Sequence, residues 1–67
     1  MKGFKKGDRV KISELGKLRG QGATKQKPHG DYGTVMTDQK DHYVRIRQDG
    51  FKTAFTYLED YWDLSKK

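Results

Sequence analysis

The chain is short and basic: its 67 residues include 15 Lys or Arg against nine Asp or Glu, a net charge of +6, and only twelve are Val, Ile, Leu or Phe. A chain of this length buries only about 60% of its unfolded surface, which limits it to one small domain, predicted over residues 1–67, without a large enclosed active site. Because it has no cysteine it forms no disulfide and no thiolate zinc site, and because no apolar run approaches about 20 residues no helix is expected to span a membrane.

Strand patterns begin near the amino terminus and are then interrupted by a long polar segment. Residues 8–12 alternate polar and apolar side chains, which is typical of a half-buried strand. Residues 13–30 contain four glycines and a proline, so they are predicted to form a long loop. Ser13 could cap one helical turn at the start of that loop, but the glycines would end it. β-Branched residues follow at 33–37 and predict a second strand.

The next stretch is typical of a β-hairpin. Residues 37–41 are polar and predict a turn, and residues 42–47 alternate again, with apolar side chains on one face and two arginines on the other. The dipeptide Asp49-Gly50 is a strong signal for a type I′ turn, in which both central residues have positive φ. A fourth strand is predicted over residues 51–57, because its bulky side chains recur at alternate positions.

The order of these elements predicts an all-β fold. A short helical turn at 58–60 precedes a last strand at 61–64, so five short strands are expected, with one long loop after the first. A small five-stranded SH3-like barrel fits this order, because a curled sheet lets a short chain bury one face of every strand. The side chains predicted to face inward are Val10, Ile12, Val35, Val44, Ile46, Phe55, Tyr57, Leu58 and Leu64, with Trp62 left open between core and surface.

Several short motifs resemble those of known small barrels. Three of them are similar to the opening strands of KOW-type and Tudor-type SH3-like barrels. They are Gly7-Asp8-Arg9-Val10-Lys11-Ile12, Gly33-Thr34-Val35 and Tyr43-Val44-Arg45-Ile46. A later pattern of Lys52-Thr53, Tyr57 and Tyr61-Trp62 resembles small SH3-like proteins encoded by bacteria and phages. The resemblance covers about residues 4–64. It implies the fold more than the function, since such barrels support many unrelated activities.

The positive charge is concentrated in the first part of the chain. Residues 1–30 carry nine basic and two acidic side chains, a net charge of +7, whereas residues 31–67 carry six basic and seven acidic side chains, a net charge of −1. Seven of the eight aromatic residues lie after residue 30. This asymmetry favours an anionic partner for the basic part, and the alternative is a solvated basic arm without a specific partner.

Candidate nucleic-acid-binding residues fall in the loop and on the third strand. A flexible basic loop can follow a phosphate backbone, and each phosphate that it neutralises releases counterions. Strand arginines flanked by tyrosines add stacking surfaces, which suit RNA or single-stranded nucleic acid. The alternative for both regions is ordinary surface charge that keeps the protein in solution. The predicted contacts are Lys11, Lys17, Arg19, Lys25, Lys27, Arg45, Arg47 and Lys52, with Tyr32 and Tyr43 as stacking residues.

A protein-interaction module is the alternative function. Tyr57, Tyr61 and Trp62 surround the predicted helical turn, and the SH3-like resemblance implies that peptides can bind through aromatic residues near this turn. If these three residues form an exposed surface, it would bind a protein partner, as in a phage or mobile-element accessory protein. The competing interpretation is that the three rings belong to the core, because the chain has few aliphatic residues.

No catalytic constellation is predicted. His29 and His42 lie at turns without a nucleophile or a sufficient ligand set, so neither a metal site nor a cofactor is expected. The plasmid-borne type II dihydrofolate reductases resemble this chain in architecture, but of their folate-binding Val-Gln-Ile-Tyr segment only Tyr57 matches. We therefore expect a non-enzymatic, cytoplasmic protein, monomeric or a small homo-oligomer. Its expected partner is DNA or RNA, or alternatively a protein, and not a membrane.

Overall fold

Five short strands form one antiparallel sheet in the computed structural model, which describes residues 2–65. The strands are β1 (Arg9–Ile12), β2 (Tyr32–Val35), β3 (Tyr43–Gln48), β4 (Phe55–Leu58) and β5 (Trp62–Leu64). A helix of five residues, α1 (Glu14–Leu18), follows β1, and a 3-10 helix (Glu59–Tyr61) precedes β5. The order across the sheet is β4-β3-β2-β1-β5, and the sheet curls into a half-barrel. The predicted all-β small barrel is confirmed.

One face of the curled sheet carries the core. In β3 the alternation is as predicted, with Val44 and Ile46 buried and Tyr43 and Arg45 exposed on the opposite face. The helix after β1 also agrees with its predicted cap, since the Gly16 amide donates to Ser13 Oγ at 3.1 Å. The buried apolar residues are Phe4, Val10, Ile12, Val35, Val44, Ile46, Tyr57 and Trp62.

Three residues predicted for the core are not fully buried in it, and one question is resolved. Phe55 and Leu64 were predicted to face the core but are 49% and 61% exposed, and Leu58 is only partly buried. All three lie on the two edge strands, where an open half-barrel has no further strand to cover them. Trp62 is completely buried, which assigns it to the core. Phe4, which no strand pattern indicated, is also buried.

The hairpin after β3 differs from the predicted type I′ turn. The Phe51 amide donates to the Gln48 carbonyl at 3.0 Å, but only Gly50 has a positive φ, of 90°. Asp49 keeps a negative φ, and its carboxylate is held by two hydrogen bonds from Arg9, at 2.8 and 2.7 Å. Positive φ at the third turn residue alone is typical of a type II turn. Strand β4 consequently begins at Phe55 rather than at Phe51.

Gln48, at the end of β3, is buried and holds the long loop against the sheet. Its Nε2 donates to the carbonyl oxygens of Gln21 and Gly30, at 2.8 and 2.7 Å. Its Oε1 accepts hydrogen bonds from the Tyr57 hydroxyl and from Lys27 Nζ, the latter at 3.3 Å. Burial raises the pKa of the Tyr57 hydroxyl, which therefore stays protonated and donates. One core side chain thus fixes two distant points of the loop.

Glu59, the first residue of the 3-10 helix, has a similar role. Its buried carboxylate accepts hydrogen bonds from the Lys2 amide at 2.5 Å, from Gln39 Nε2 at 2.8 Å and from His42 Nδ1 at 2.8 Å. Hydrogen bonds from His42, Gln39 and the Lys2 amide lower the pKa of Glu59 to about 2. The amino-terminal segment, the turn before β3 and the 3-10 helix are therefore joined at one ionised group.

The lowered pKa of Glu59 makes the stability of the fold depend on pH. The carboxyl titrates near 4.5 in the unfolded chain and near 2 in the folded one, so its contribution is complete above pH 4.5 and is lost as the pH falls toward 2. We expect Glu59→Gln to have a lower urea midpoint than the parent protein at pH 7. The difference in midpoint should shrink between pH 4.5 and pH 2.

Asp60 provides the matched control for this measurement. It is the next residue, it is exposed, and within residues 2–65 its carboxylate makes no hydrogen bond. Asp60→Asn should therefore leave the urea midpoint nearly unchanged at every pH. A gap between Glu59→Gln and the parent protein that stays constant from pH 7 to pH 2 would contradict the assigned role of the carboxylate.

Candidate nucleic-acid interface

The outer face of the sheet brings together cationic residues from β1 and β3. Arg9 lies opposite Thr34, and Thr34 lies opposite Arg47, so the two arginines flank one residue of β2. Arg45 lies two residues before Arg47 on the same face of β3, and Lys11 lies two residues after Arg9 on β1. The structure therefore places the predicted residues Lys11, Arg45 and Arg47 on one surface of the protein, together with Arg9.

The arginines of this face differ in the number of contacts that their guanidinium groups already make with other residues. Arg9 donates two hydrogen bonds to Asp49 and a third, of 2.9 Å, to Thr34 Oγ1. The Arg9 guanidinium holds the pKa of the Asp49 carboxyl below its usual range. Arg47 is half-buried and donates to the Phe51 carbonyl at 3.1 Å. Arg45 is exposed, and its side chain has no hydrogen-bond or ion-pair partner among residues 2–65, so its guanidinium can bind a ligand without breaking an existing contact.

The two predicted stacking residues also differ. The Lys11 ammonium lies 5.8 Å from the centroid of the Tyr32 ring, a cation–π distance, and Tyr32 itself is half-buried. Tyr43, at the start of β3, is 57% exposed. A base could therefore reach the ring of Tyr43 directly, whereas a Lys11 side chain already covers part of Tyr32.

The long loop contributes three exposed cations rather than four. Lys17, Arg19 and Lys25 are exposed, as is Lys52 in the hairpin loop before β4. Lys27 is half-buried instead, and its Nζ donates to the Gln21 carbonyl at 3.2 Å and to Gln48 Oε1. Lys27 therefore helps to hold the loop through its ammonium, and its predicted contact with a phosphate stays a prediction.

A cationic depression of about 540 Å³ lies beside Arg45. Its lining includes Tyr43 and two further basic residues that were not among the predicted contacts, Lys6 and Lys40. Two carboxylates also line it, and each already accepts a hydrogen bond from a backbone amide: Asp38 from that of Lys6 and Asp41 from that of Tyr43, each at 2.8 Å. No sequence pattern indicated the two lysines, since each lies in a segment that becomes adjacent to Arg45 only in the folded chain.

An aromatic groove of about 620 Å³ lies where the half-barrel is open, between β4 and the long loop. Trp62 is fully buried and Tyr57 almost so, which means that the predicted exposed surface of Tyr57, Tyr61 and Trp62 does not form. The groove instead exposes Phe55, which was predicted to face the core, and part of Phe51, which was predicted to lie in a strand. Its lining comprises Gln21, Lys27, Tyr43, Gln48, Phe51, Phe55, Thr56, Tyr57, Leu58 and Tyr61.

The described part of the chain offers neither a clustered metal site nor a membrane span. Among residues 2–65, no group of three or more His, Asp or Glu side chains is arranged to hold a metal ion. His42 is paired with Glu59, and His29 is exposed at a turn. Over the same residues, no helix combines the length and apolar character that crossing a bilayer requires.

Comparisons with models of known protein families, with curated proteins and with solved structures gave no match to this chain. The fold therefore defines its class: a small all-β protein whose five antiparallel strands form a half-barrel, consistent with an SH3-like barrel. Its surface chemistry is the basis for the function proposed below.

Proposed function

We propose that the chain is a non-enzymatic nucleic-acid-binding protein, which binds phosphates through the long loop and the outer face of β3. In this proposal it is a KOW-like or Tudor-like barrel of bacterial or phage type that acts in the cytoplasm as a monomer or small homo-oligomer. The observation that carries the proposal is the exposed, unpartnered guanidinium of Arg45 beside the exposed ring of Tyr43, as described for residues 2–65.

The charge distribution supports this proposal. The net charge of +7 over residues 1–30 is large for so short a segment, and Lys17, Arg19 and Lys25 carry part of it on an exposed loop. Phosphate oxygens accept charge-assisted hydrogen bonds from such side chains, and an arginine can bind two of these oxygens at once. Because binding would release counterions, we expect the affinity to fall steeply with salt.

Arg45→Ala tests the observation that carries the proposal. We expect the dissociation constant for a fluorescent oligonucleotide to rise about tenfold at low salt, since one charge-assisted hydrogen-bonding group contributes roughly 1.5 kcal/mol. The slope of log K against log salt should decrease by about one, as for the loss of one phosphate contact. Fluorescence anisotropy with single-stranded and duplex DNA and RNA at two salt concentrations measures both quantities.

Lys5→Ala removes the same charge from another part of the surface. Lys5 is exposed and lines neither the cationic depression nor the aromatic groove. Its loss should change the affinity much less than the loss of Arg45. An equal effect of the two variants would mean that only total charge matters, and an absence of binding at low salt would refute the proposed function altogether.

A further inference from the structure

We propose that the aromatic groove binds unstacked bases of single-stranded nucleic acid, while the cationic depression beside it binds the phosphates. The inference rests on the proposed function and deepens it, because it names single strands rather than duplexes as the preferred ligand. Tyr43 and Thr56 line both cavities, so one continuous surface joins them.

The ring surfaces in the groove suit flat, uncharged ligands. The rings of Phe51 and Phe55 are 6.5 Å apart and inclined by 70°, and about half of Phe55 is exposed. The partly buried Tyr61 also lines the groove. Every nucleobase has a π-face, so bases of any sequence can stack on exposed rings of this kind. Phe55 is an exposed apolar residue on an edge strand and is not needed to fill the core. In this proposal its ring stacks on a base.

The charge of the groove favours an anionic occupant over a basic peptide. Lys27 is the one charged residue among those that line it, and its Nζ lies 6.0 Å from the centroid of the Phe51 ring. A lysine ammonium has three donors, of which two reach Gln21 and Gln48. The third donor can bind a phosphate or a base carbonyl. A proline-rich peptide that relies on its own basic residue would find no carboxylate in this lining.

The path of the strand follows from the sheet. Arg45 on β3 lies opposite Thr56 on β4, and Tyr43 lies two residues from Arg45 on the same face. Because Tyr43 lies opposite Leu58 and Ile46 lies opposite Phe55, Arg45 lies between Tyr43 and Phe55 along the β3–β4 ladder. A strand with one phosphate at Arg45 would therefore place bases near Tyr43 in one direction and near Phe55 in the other. Duplex DNA has its base faces covered by neighbouring base pairs, so it could use the cationic depression but could not fill the groove without unstacking a base.

Phe55→Ala separates base binding from phosphate binding. The probes are a 12-nucleotide oligothymidine, the corresponding oligouridine, and a DNA duplex of the same length, each fluorescently labelled and titrated at two salt concentrations. We expect affinity for both single strands to fall between about 5-fold and 150-fold, the range for loss of one stacked base. The salt slope and the affinity for duplex should stay unchanged, because no phosphate contact is lost.

Two further variants control for folding and for simple loss of apolar surface. Leu64→Ala removes an apolar side chain that is at least as exposed, from the opposite edge of the sheet, and should leave affinity for single strands unchanged. Phe55→Trp keeps an aromatic face and should retain or increase that affinity. A 2-aminopurine base within the oligonucleotide should lose fluorescence on binding the parent protein, but not on binding Phe55→Ala.

The outcomes distinguish this inference from the proposed function. If neither single strands nor duplex bind at low salt, the proposed function fails and the inference fails with it. If both bind and Phe55→Ala binds single strands as the parent does, the groove inference alone is overturned. It is also overturned if Phe55→Ala leaves nucleic-acid affinity intact but abolishes binding of an acidic, phenylalanine-containing peptide, or converts a dimer into a monomer by light scattering.

Discussion

Trp62→Ala should leave the protein unfolded at 25 °C. Trp62 is completely buried, and its ring packs edge-to-face on Tyr57 with centroids 5.4 Å apart. Replacing a buried tryptophan by alanine costs about 3–5 kcal/mol. A chain of this size gains only about 3–5 kcal/mol from a single core, so the substitution removes most of the free energy of unfolding. Far-UV circular dichroism and thermal melting measure the result.

Two further substitutions make this test specific to burial. Trp62→Phe should remain folded with a lower melting temperature, because it keeps an aromatic ring in the core. It also removes the indole N–H, a buried donor that has no hydrogen-bond partner among the described residues. Leu64→Ala should change the free energy of unfolding by less than about 0.5 kcal/mol, as expected for an exposed side chain. If Trp62→Ala stays folded and loses only the binding of a partner, the assignment of Trp62 to the core is wrong and Trp62 belongs to a binding surface.

The second large effect is expected from the basic loop. The triple variant Lys17→Ala, Arg19→Ala and Lys25→Ala should bind oligonucleotides roughly 100-fold more weakly at low salt, at about 1 kcal/mol for each lost contact. The slope of log K against log salt should fall by about two to three, depending on whether the ligand is single-stranded or duplex. The circular dichroism spectrum should be unchanged, because all three side chains are exposed.

A charge-preserving variant provides the control for the loop. Exchanging lysine and arginine at the same three positions keeps the charge, so it should retain the salt slope and most of the affinity. Lys27 is left intact in both variants, since its ammonium holds the loop to Gln48. If the alanine variant kept the parent salt slope, the loop would carry no phosphate contacts and the nucleic acid would have to bind elsewhere.

Local patterns were sufficient to predict most of the strands. β3 could be located because Val44 and Ile46 alternate with charged residues, and a sheet with one buried face requires that alternation. The cap at Ser13 was also predictable, since it depends on residues only three positions apart. Phe4 was missed because it is a single apolar residue in a basic segment. It is held by reciprocal hydrogen bonds with Gln39, which lies 35 residues away.

The buried polar residues could not be predicted in the same way. Gln48 and Glu59 are buried because donors and acceptors from several distant segments converge on them, and no sequence window contains those partners together. Phe55 follows the strand alternation, so the pattern predicted which face of the sheet it lies on. It could not predict how exposed the side chain is, because Phe55 lies on an edge strand.

The candidate site was predictable in its composition but not in its arrangement. The sequence predicted Lys11, Arg45 and Arg47 as contacts, and the sheet places them on one face together with a third arginine, Arg9. Which of the three arginines is free depends on tertiary contacts with Asp49 and with the Phe51 carbonyl. The aromatic groove could likewise not be predicted from the sequence, because it forms only at the open edge of the curled sheet.

The position of β1 between β2 and β5 has a consequence for biosynthesis. β1 pairs with residues 62–64, and Lys2 reaches both Glu59 and the Trp62 carbonyl, so these residues need partners that lie fifty to sixty positions later in the chain. During translation the chain cannot complete its sheet until that last strand has left the ribosome. Until then the unpaired edge of β1 and the apolar face beneath it stay open to chaperones and to other nascent chains.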